Sequence, residues 1–261
     1  MKPPSVQTLR EIVINAFSLK EDTASNDEIR QRLLSAGKVT GTNMCVMVCA
    51  MIIASVGLNA GSLTMIIGAM LIEPLMGSII AISYGVVSAD FKTTRNHVAG
   101  FLLQISISLI ASTLYFLLSP IKEPTQELLS MAKPTPFDVM VALVGGFAGV
   151  IGQTRKEKAN TIIPGVAIAT SLMPPLCACG YALSNRNWML LGGAAYMFLI
   201  NAYFIFMGAG VMLSAFRIPR QHEMTDAEWK ELRTAMIRNT VLILLPCIYF
   251  AVKTLIEVYR R

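Results

Sequence analysis

Long apolar blocks alternate with short polar connections along most of the chain after residue 41. Each block has about 17 residues or more, and a helix of that length crosses a bilayer core of about 30 Å. The pattern therefore predicts an all-α polytopic membrane protein with about seven transmembrane helices. The predicted spans are residues 42–59, 63–88, 97–119, 137–152, 161–184, 188–215 and 239–256.

Polar segments divide these spans into larger units. Residues 1–41 predict an amphipathic surface helix, with apolar positions such as Val6, Leu9 and Val13, followed by a charged linker that ends at Lys38. The later units are a first membrane unit (42–119), a loop (120–136), a second membrane unit (137–215), a charged insert (216–238) with a surface helix from Thr225, and a C-terminal span within 239–261.

Composition agrees with a membrane location, because 54% of the 261 residues are hydrophobic and only 15% are charged. Lysine and arginine are distributed unevenly: 16 lie on one side of the predicted spans and three on the other, with the C-terminal three set aside. The positive-inside rule then predicts a cytoplasmic N-terminus. We expect the protein to lie in the plasma membrane. This use of the positive charge gives no reason to expect a nucleic-acid partner.

The sequence also repeats itself at an offset of 97 residues. "TMIIGAMLIEPLMGSIIAISY" (64–84) then lies over "TIIPGVAIATSLMPPLCACGY" (161–181), with seven of 21 positions identical and no gap. One repeat holds three spans, and an odd number of spans forces the second copy to enter the membrane in the opposite direction. We therefore expect a 3+3 inverted repeat with a C-terminal span added, a plan used by secondary transporters. Duplication kept only for packing and assembly is the alternative.

Prolines interrupt the second and fifth spans at related positions. Glu73-Pro74 lies between Gly68 and Gly77 in the second, and Pro174-Pro175 lies in the fifth. Proline removes a backbone hydrogen bond and clashes with the preceding turn, and freed carbonyls in lipid need partners or a wet cavity. We expect discontinuous helices at both places.

Glu73 is an acid deep within a predicted span, with no Lys or Arg at a similar depth. A charged acid there costs at least a few kcal/mol. Three arrangements would make it tolerable: a proton held on the carboxyl, a bound cation, or the positive end of a half-helix created by the break. The first two are working states of a carrier, and the third is structural. The repeat places Thr170 opposite Glu73.

Gln104 and Asn201 form a second pair at the 97-residue offset, in the middle of the third and sixth spans. Amides in membranes join neighbouring helices by hydrogen bonds, and they could equally contact a substrate. The complete set of candidate residues for binding a solute or ion is Glu73, Pro74, Gly77, Ser78, Gln104, Thr170, Ser171, Pro174, Pro175 and Asn201.

No P-loop, metal-ligand cluster or nucleophile motif is present in the sequence. We therefore expect neither enzymatic activity nor a metal or cofactor.

"GAMLIEPLMGSI" together with "IIPGVAIATSLMPPLCACGYAL" resembles the paired signatures of the domain of unknown function 389 family, which are uncharacterised membrane proteins of bacteria and archaea. "DVMVALVGGFAGVIG" and "GGAAYMFLINAYFIF" also resemble it, so the likeness covers residues 45–215. In that family a serine or another small residue often precedes "PLMG", so Glu73 departs from the pattern. A carboxylate is then not the family's general device, and the family name implies no activity.

These observations favour a proton- or cation-linked secondary transporter, or a channel, for a small solute or ion. Its site would lie at the two breaks, and the protein would act in the lipid bilayer as a homo-oligomer. The competing class is a non-transporting scaffold or lipid-organising assembly, in which the breaks only shape the helix bundle.

Overall fold

A computed structural model of the chain describes residues 23–155, 172–216 and 226–259. The regular structure of these residues is helical. The ten helices are α1 Asn26–Ala36, α2 Gly41–Ala60, α3 Leu63–Met70, α4 Leu75–Val87, α5 Phe91–Leu118, α6 Gln126–Ser130, α7 Pro136–Thr154, α8 Met173–Ser184, α9 Trp188–Ala215 and α10 Asp226–Tyr259.

Four of these helices, α2, α5, α7 and α9, are long and apolar enough to cross a membrane. The pair α3 and α4 makes a fifth if it is counted as one span. The described residues thus contain an all-helical membrane-type fold with four or five candidate spans. The first part of the predicted fifth span lies outside the described residues, and the predicted span 239–256 falls within α10 and stays a prediction.

The second span is broken where the sequence predicts it. Helix α3 ends at Met70, α4 begins at Leu75, and the two axes differ by 42°. Pro74 precedes the first residue of α4, and its ring would clash with the carbonyl of Met70 if one helix continued through the break.

Helix α1 forms within the segment predicted as a charged linker, which corrects that prediction. Ser25 and Glu28 make reciprocal capping hydrogen bonds at its start. Ile29 and Leu33, four residues apart on one face, are buried against the rest of the protein. The amphipathic helix predicted further upstream lies outside the described residues.

Helices α5 and α9 match each other in extent and in the way they begin. Both have 28 residues, and they begin and end 97 residues apart. Asp90 caps α5 and Asn187 caps α9, each with a side chain that accepts from the backbone N–H three residues on. The residues just before these caps, Ala89 and Arg186, have positive φ values of 56° and 53°.

The core forms where α4 and α8 each pack against both α5 and α9. Helix α2 covers α5 and α8 on one side, and α7 packs along α9 on the other. Helices α7 and α9 approach closely, because a Cβ on Gly146 would collide with the carbonyl of Ile205, and a Cβ on Gly208 with that of Leu143. This arrangement places the starts of α4 and α8 inside the bundle.

Candidate functional site

Glu73, in the break between α3 and α4, is hydrogen-bonded to the start of α8. Its carboxylate accepts from the backbone N–H of Met173, the first residue of that helix. The other carboxylate oxygen, Oε2, is buried and has no hydrogen-bond partner among the described residues. One side chain therefore joins the break of the first membrane unit to the helix start in the second.

The two prolines explain why α8 can begin in an apolar interior. A helix leaves its first N–H groups without intrahelical partners, and these groups are costly in lipid. Pro174 and Pro175 follow Met173 directly and carry no N–H, so two of those donors do not exist. Of the first three helical residues, Met173 alone keeps its N–H, and Glu73 accepts from it. The positive end of the helix dipole also favours a carboxylate at this place.

This geometry corresponds to the third arrangement considered for Glu73, the positive end of a half-helix. The half-helix is α8, from the other membrane unit, and not α4, which directly follows the acid in sequence. The break predicted at Glu73-Pro74 is confirmed, whereas the residues that precede α8 lie outside the described residues, so the break predicted at Pro174-Pro175 stays a prediction. Nothing in the sequence indicated that Glu73 caps the start of α8.

Gln104 and Ser78 meet at the first turn of α4. The Ser78 hydroxyl donates to Gln104 Oε1 over 2.7 Å, and both residues are fully buried. The Gln104 amide nitrogen, Nε2, has no hydrogen-bond partner among the described residues. Two candidate residues from different spans are thus in contact, as the candidate site requires.

A line of buried polar side chains follows Gln104 along α5. Gln104, Ser108 and Ser112 are spaced four residues apart, so they lie on one face, and all three are fully buried. The Ser108 hydroxyl has no partner in the described part of the chain. Ser106, exposed on another face, instead donates to the carbonyl of Leu102 four residues back. The Gln104–Ser112 stripe therefore faces the protein interior.

Ser112 links three helices near α8. Its hydroxyl donates to the Cys177 carbonyl of α8 over 3.1 Å, and it accepts from Ser55 of α2 over 3.1 Å. Further along, Asn59 donates to Ser119 over 2.6 Å and to Tyr115 over 3.3 Å. These residues are not among the candidates predicted from the sequence. Serines at four-residue spacing after Gln104, and the Ser55/Asn59 pair, are the signals that could have identified them.

The remaining candidates have different positions. Pro74 is half-buried before α4, and Pro174 and Pro175 are buried in α8. Gly77 contacts α1, since a Cβ there would collide with the Ala36 carbonyl, so its role is close packing. Asn201 is buried on α9, 97 residues after Gln104. Thr170 and Ser171 lie outside the described residues.

The described residues contain no group of three or more His, Cys, Asp or Glu side chains able to hold a metal ion. What the site offers is a carboxylate at a helix start together with amide and hydroxyl groups. Such a set suits a proton, a small cation or a small polar solute.

Comparison with known proteins gives a family and a relative. The family model described as a domain of unknown function, DUF389, matches residues 70–207, which is more than half of the chain and includes Glu73-Pro74 and Pro174-Pro175. An uncharacterised protein of Methanocaldococcus jannaschii is 27% identical over 176 residues. That alignment covers 67% of this chain and 54% of the relative, so the chain spans about half of the relative's length. No solved structure matches the chain. The resemblance noted from the sequence motifs is thus confirmed, and the protein belongs to the domain of unknown function 389 family.

Proposed function

We propose that the protein is a membrane transport protein: a proton- or cation-linked secondary transporter, or a channel, for a small solute or ion. The observation that carries this proposal is the hydrogen bond from the Met173 N–H to Glu73, which brings an acid from the break between α3 and α4 to the start of α8. Many secondary transporters bind their ions and substrates where discontinuous helices meet near the membrane midplane.

The equivalence of α5 and α9 supports the inverted repeat in this proposal. Their equal lengths, side-chain caps and preceding positive-φ residues recur at the offset of 97. Helix contacts recur in the same register: Ser83 of α4 lies against Gly210 of α9, and Gly180 of α8 lies against Thr113 of α5. Such reciprocal contacts are what a two-fold relation between two units would produce.

Buried polar atoms near the breaks support a ligand. Glu73 Oε2, Gln104 Nε2 and Ser108 Oγ have no hydrogen-bond partner among the described residues. Ser108 lies one turn from Gln104, which contacts α4, and one turn from Ser112, which contacts α8. Because an unpaired polar atom in an apolar interior costs about 1–3 kcal/mol, these atoms favour a bound polar species or water.

The same proposal includes the topology, in which the protein lies in the plasma membrane with seven spans and a cytoplasmic N-terminus. The protein forms a homo-oligomer and has no enzymatic activity. The uneven distribution of lysine and arginine supports the orientation.

The alternative is a non-transporting scaffold or lipid-organising assembly. The capping of α8 by Glu73 is the observation that favours it, because a carboxylate that serves as a helix cap has no need to bind an ion.

Flux through proteoliposomes separates the two functions. Purified protein would be reconstituted with a pH-sensitive dye or with dyes for Na⁺ and K⁺, and an ion gradient would be imposed. We expect protein-dependent flux of at least one of these ions. Glu73→Gln should lose that flux and its pH dependence. Glu123→Gln, which changes an exposed loop acid, should show normal flux. Unchanged flux and pH dependence in Glu73→Gln and Glu73→Ala would exclude the carboxylate mechanism. An absence of flux for all probes would favour the scaffold.

A further inference from the structure

A groove of about 660 Å³ lies between α1, with the residues that follow it, and the early turns of α5. The polar side chains that line it are Gln31, Ser35, Lys38, Asn96 and His97, and the apolar ones are Leu34, Val39, Ala99 and Leu103. Along α5 the lining is polar at Asn96 and His97, which define the polar end of the groove, and apolar at Ala99 and Leu103 further along the helix. The groove thus offers both polar and apolar lining.

The polar end carries positive charge without a balancing acid. Lys38 is a cation, and none of the residues that line the groove is Asp or Glu. His97 is held at this end because its Nδ1–H donates to the Gly37 carbonyl over 3.1 Å. With Nδ1 committed in this way, the other ring nitrogen is left for a second partner. Side-chain amides of Gln31 and Asn96 add further hydrogen-bond donors.

The groove has the orientation that a lipid would require. Helix α5 has 28 residues and a length of about 42 Å, so it extends about 12 Å beyond a bilayer core of about 30 Å. Asn96 and His97 belong to its early turns, which also carry Lys92 and Arg95. Leu103 lines the apolar part of the groove, and Leu103 and the neighbouring Leu102 are 48% and 57% exposed.

We propose that this groove binds one anionic phospholipid, with its phosphate at Lys38, Asn96 and His97 and an acyl chain along Leu103. A zwitterionic lipid would bring an ammonium group to a place that offers no acid to pair with it. The cluster of Lys and Arg at the same end of α5 adds a field that attracts anionic lipids.

Such a lipid would join α1 to α5. Val39, which follows α1, already packs closely on Gly100 of α5, and the Arg32 side chain of α1 donates to the Arg155 carbonyl after α7. Because a ligand that binds only the folded state stabilises it, lipid occupancy should raise the unfolding temperature of the whole chain. This proposal does not depend on transport.

Native mass spectrometry and thermal unfolding of the full chain in detergent test the proposal. The probes are phosphatidylglycerol, phosphatidylcholine of equal chain length, and soluble glycerol phosphate. We expect one phosphatidylglycerol to remain bound and to raise the unfolding temperature, with weaker effects from the other two. Lys38→Gln should bind phosphatidylglycerol about fivefold more weakly. Lys133→Gln, at an exposed loop lysine outside the groove, should bind it normally.

Ala99→Phe provides a second variant that fills the groove and leaves its charge unchanged; it should lose the bound lipid while keeping its lipid-free unfolding temperature. Equal binding of both lipids, or unchanged binding in Lys38→Gln and Ala99→Phe, would overturn the proposal. Stabilisation by glycerol phosphate equal to that by phosphatidylglycerol would show that the groove takes a soluble phosphate compound and not a lipid.

Discussion

At the scale of single residues, a buried polar side chain can serve packing, when it joins helices by hydrogen bonds, or be available to a ligand, when it has no partner in the described part of the chain. Ser112 has a donor and an acceptor and joins three helices, whereas Ser108, one turn earlier on the same helix, has no partner among the described residues. Both are serines of equal burial, so sequence alone could not distinguish them. The difference arises because α8 and α2 approach α5 at Ser112.

The two serines give a matched pair of stability predictions. Ser112→Ala should lower the free energy of unfolding by about 1 kcal/mol, because it removes the two hydrogen bonds that join α5 to Ser55 of α2 and to the Cys177 carbonyl of α8. Ser108→Ala should leave it unchanged or slightly higher, because no protein hydrogen bond is lost. Unfolding in mixed micelles with increasing denaturing detergent measures both. Equal destabilisation by the two variants would contradict the conclusion that Ser112 joins helices by hydrogen bonds and Ser108 does not.

Asp90 is a residue whose role follows from its position before a helix. Hydrogen bonds from the Thr93 hydroxyl and the Thr93 N–H hold the pKa of the Asp90 carboxyl below its ordinary value. Because the pKa is lower in the folded state, the stabilisation is present above the ordinary pKa of an aspartate and is lost as the pH falls through the lowered value.

Three proteins compared by thermal unfolding across acidic to neutral pH test this cap. Asp90→Ala should cost about 1 kcal/mol at neutral pH. Asp90→Asn should keep most of the cap, as Asn187 does for α9, and should show less loss of stability in acid than the wild type. A wild type and an Asp90→Asn variant with the same pH profile would exclude this contribution.

At the scale of helices, glycines set how closely the spans approach. Gly146 on α7 lies directly against the backbone of α9 at Ile205. An apolar, glycine-rich pattern is typical of closely packed helices, but the pattern alone does not identify Gly146 as the contact, because several glycines are buried on α7.

Gly146→Ala should lower the free energy of unfolding by about 1–3 kcal/mol, because the added methyl meets backbone atoms that cannot move aside. Gly192→Ala, on α9, is the control: a Cβ there meets nothing within 4 Å, and the change should stabilise the helix by up to about 1 kcal/mol. Denaturation of the two variants in parallel gives the comparison. If Gly146→Ala were as stable as Gly192→Ala, the close contact between α7 and α9 would be wrong.

The extent to which helices could be predicted from sequence depended on the kind of signal. The break at Glu73-Pro74 was predictable because proline excludes a continuous helix for local reasons. Helix α1 was missed because its charged composition indicated a linker, although Ser25 and Glu28 carry the capping pattern. The bond between Glu73 and Met173 was not predictable, because it depends on how two segments about 100 residues apart pack together.

At the scale of the whole molecule, we propose that two membrane units of opposite direction meet at one polar site. The apolar pattern predicted helices over the described spans, and the 97-residue register recurs in α5 and α9. The corresponding positions on α9, Ile205 and Ala209, are apolar where α5 has Ser108 and Ser112. The polar stripe thus belongs to one unit only, and a transport pathway along it would be asymmetric.

The central claim of the proposed function, that water and ions reach the region between the Glu73-Pro74 break and the start of α8, is tested most directly by thiol accessibility at Ser108. A variant without the five native cysteines would carry Ser108→Cys, Ser106→Cys or Ser130→Cys, and would be treated in sealed vesicles with a membrane-impermeant quaternary-ammonium methanethiosulfonate. Ser130→Cys, on the exposed surface of α6, should react from one side of the membrane. Ser106→Cys, exposed on an apolar span that we expect to face lipid, should not react, because a thiol in lipid does not ionise. Our account predicts that Ser108→Cys reacts despite its burial, whereas a thiol at 108 that stays unmodified from both sides while Ser130→Cys reacts would contradict it.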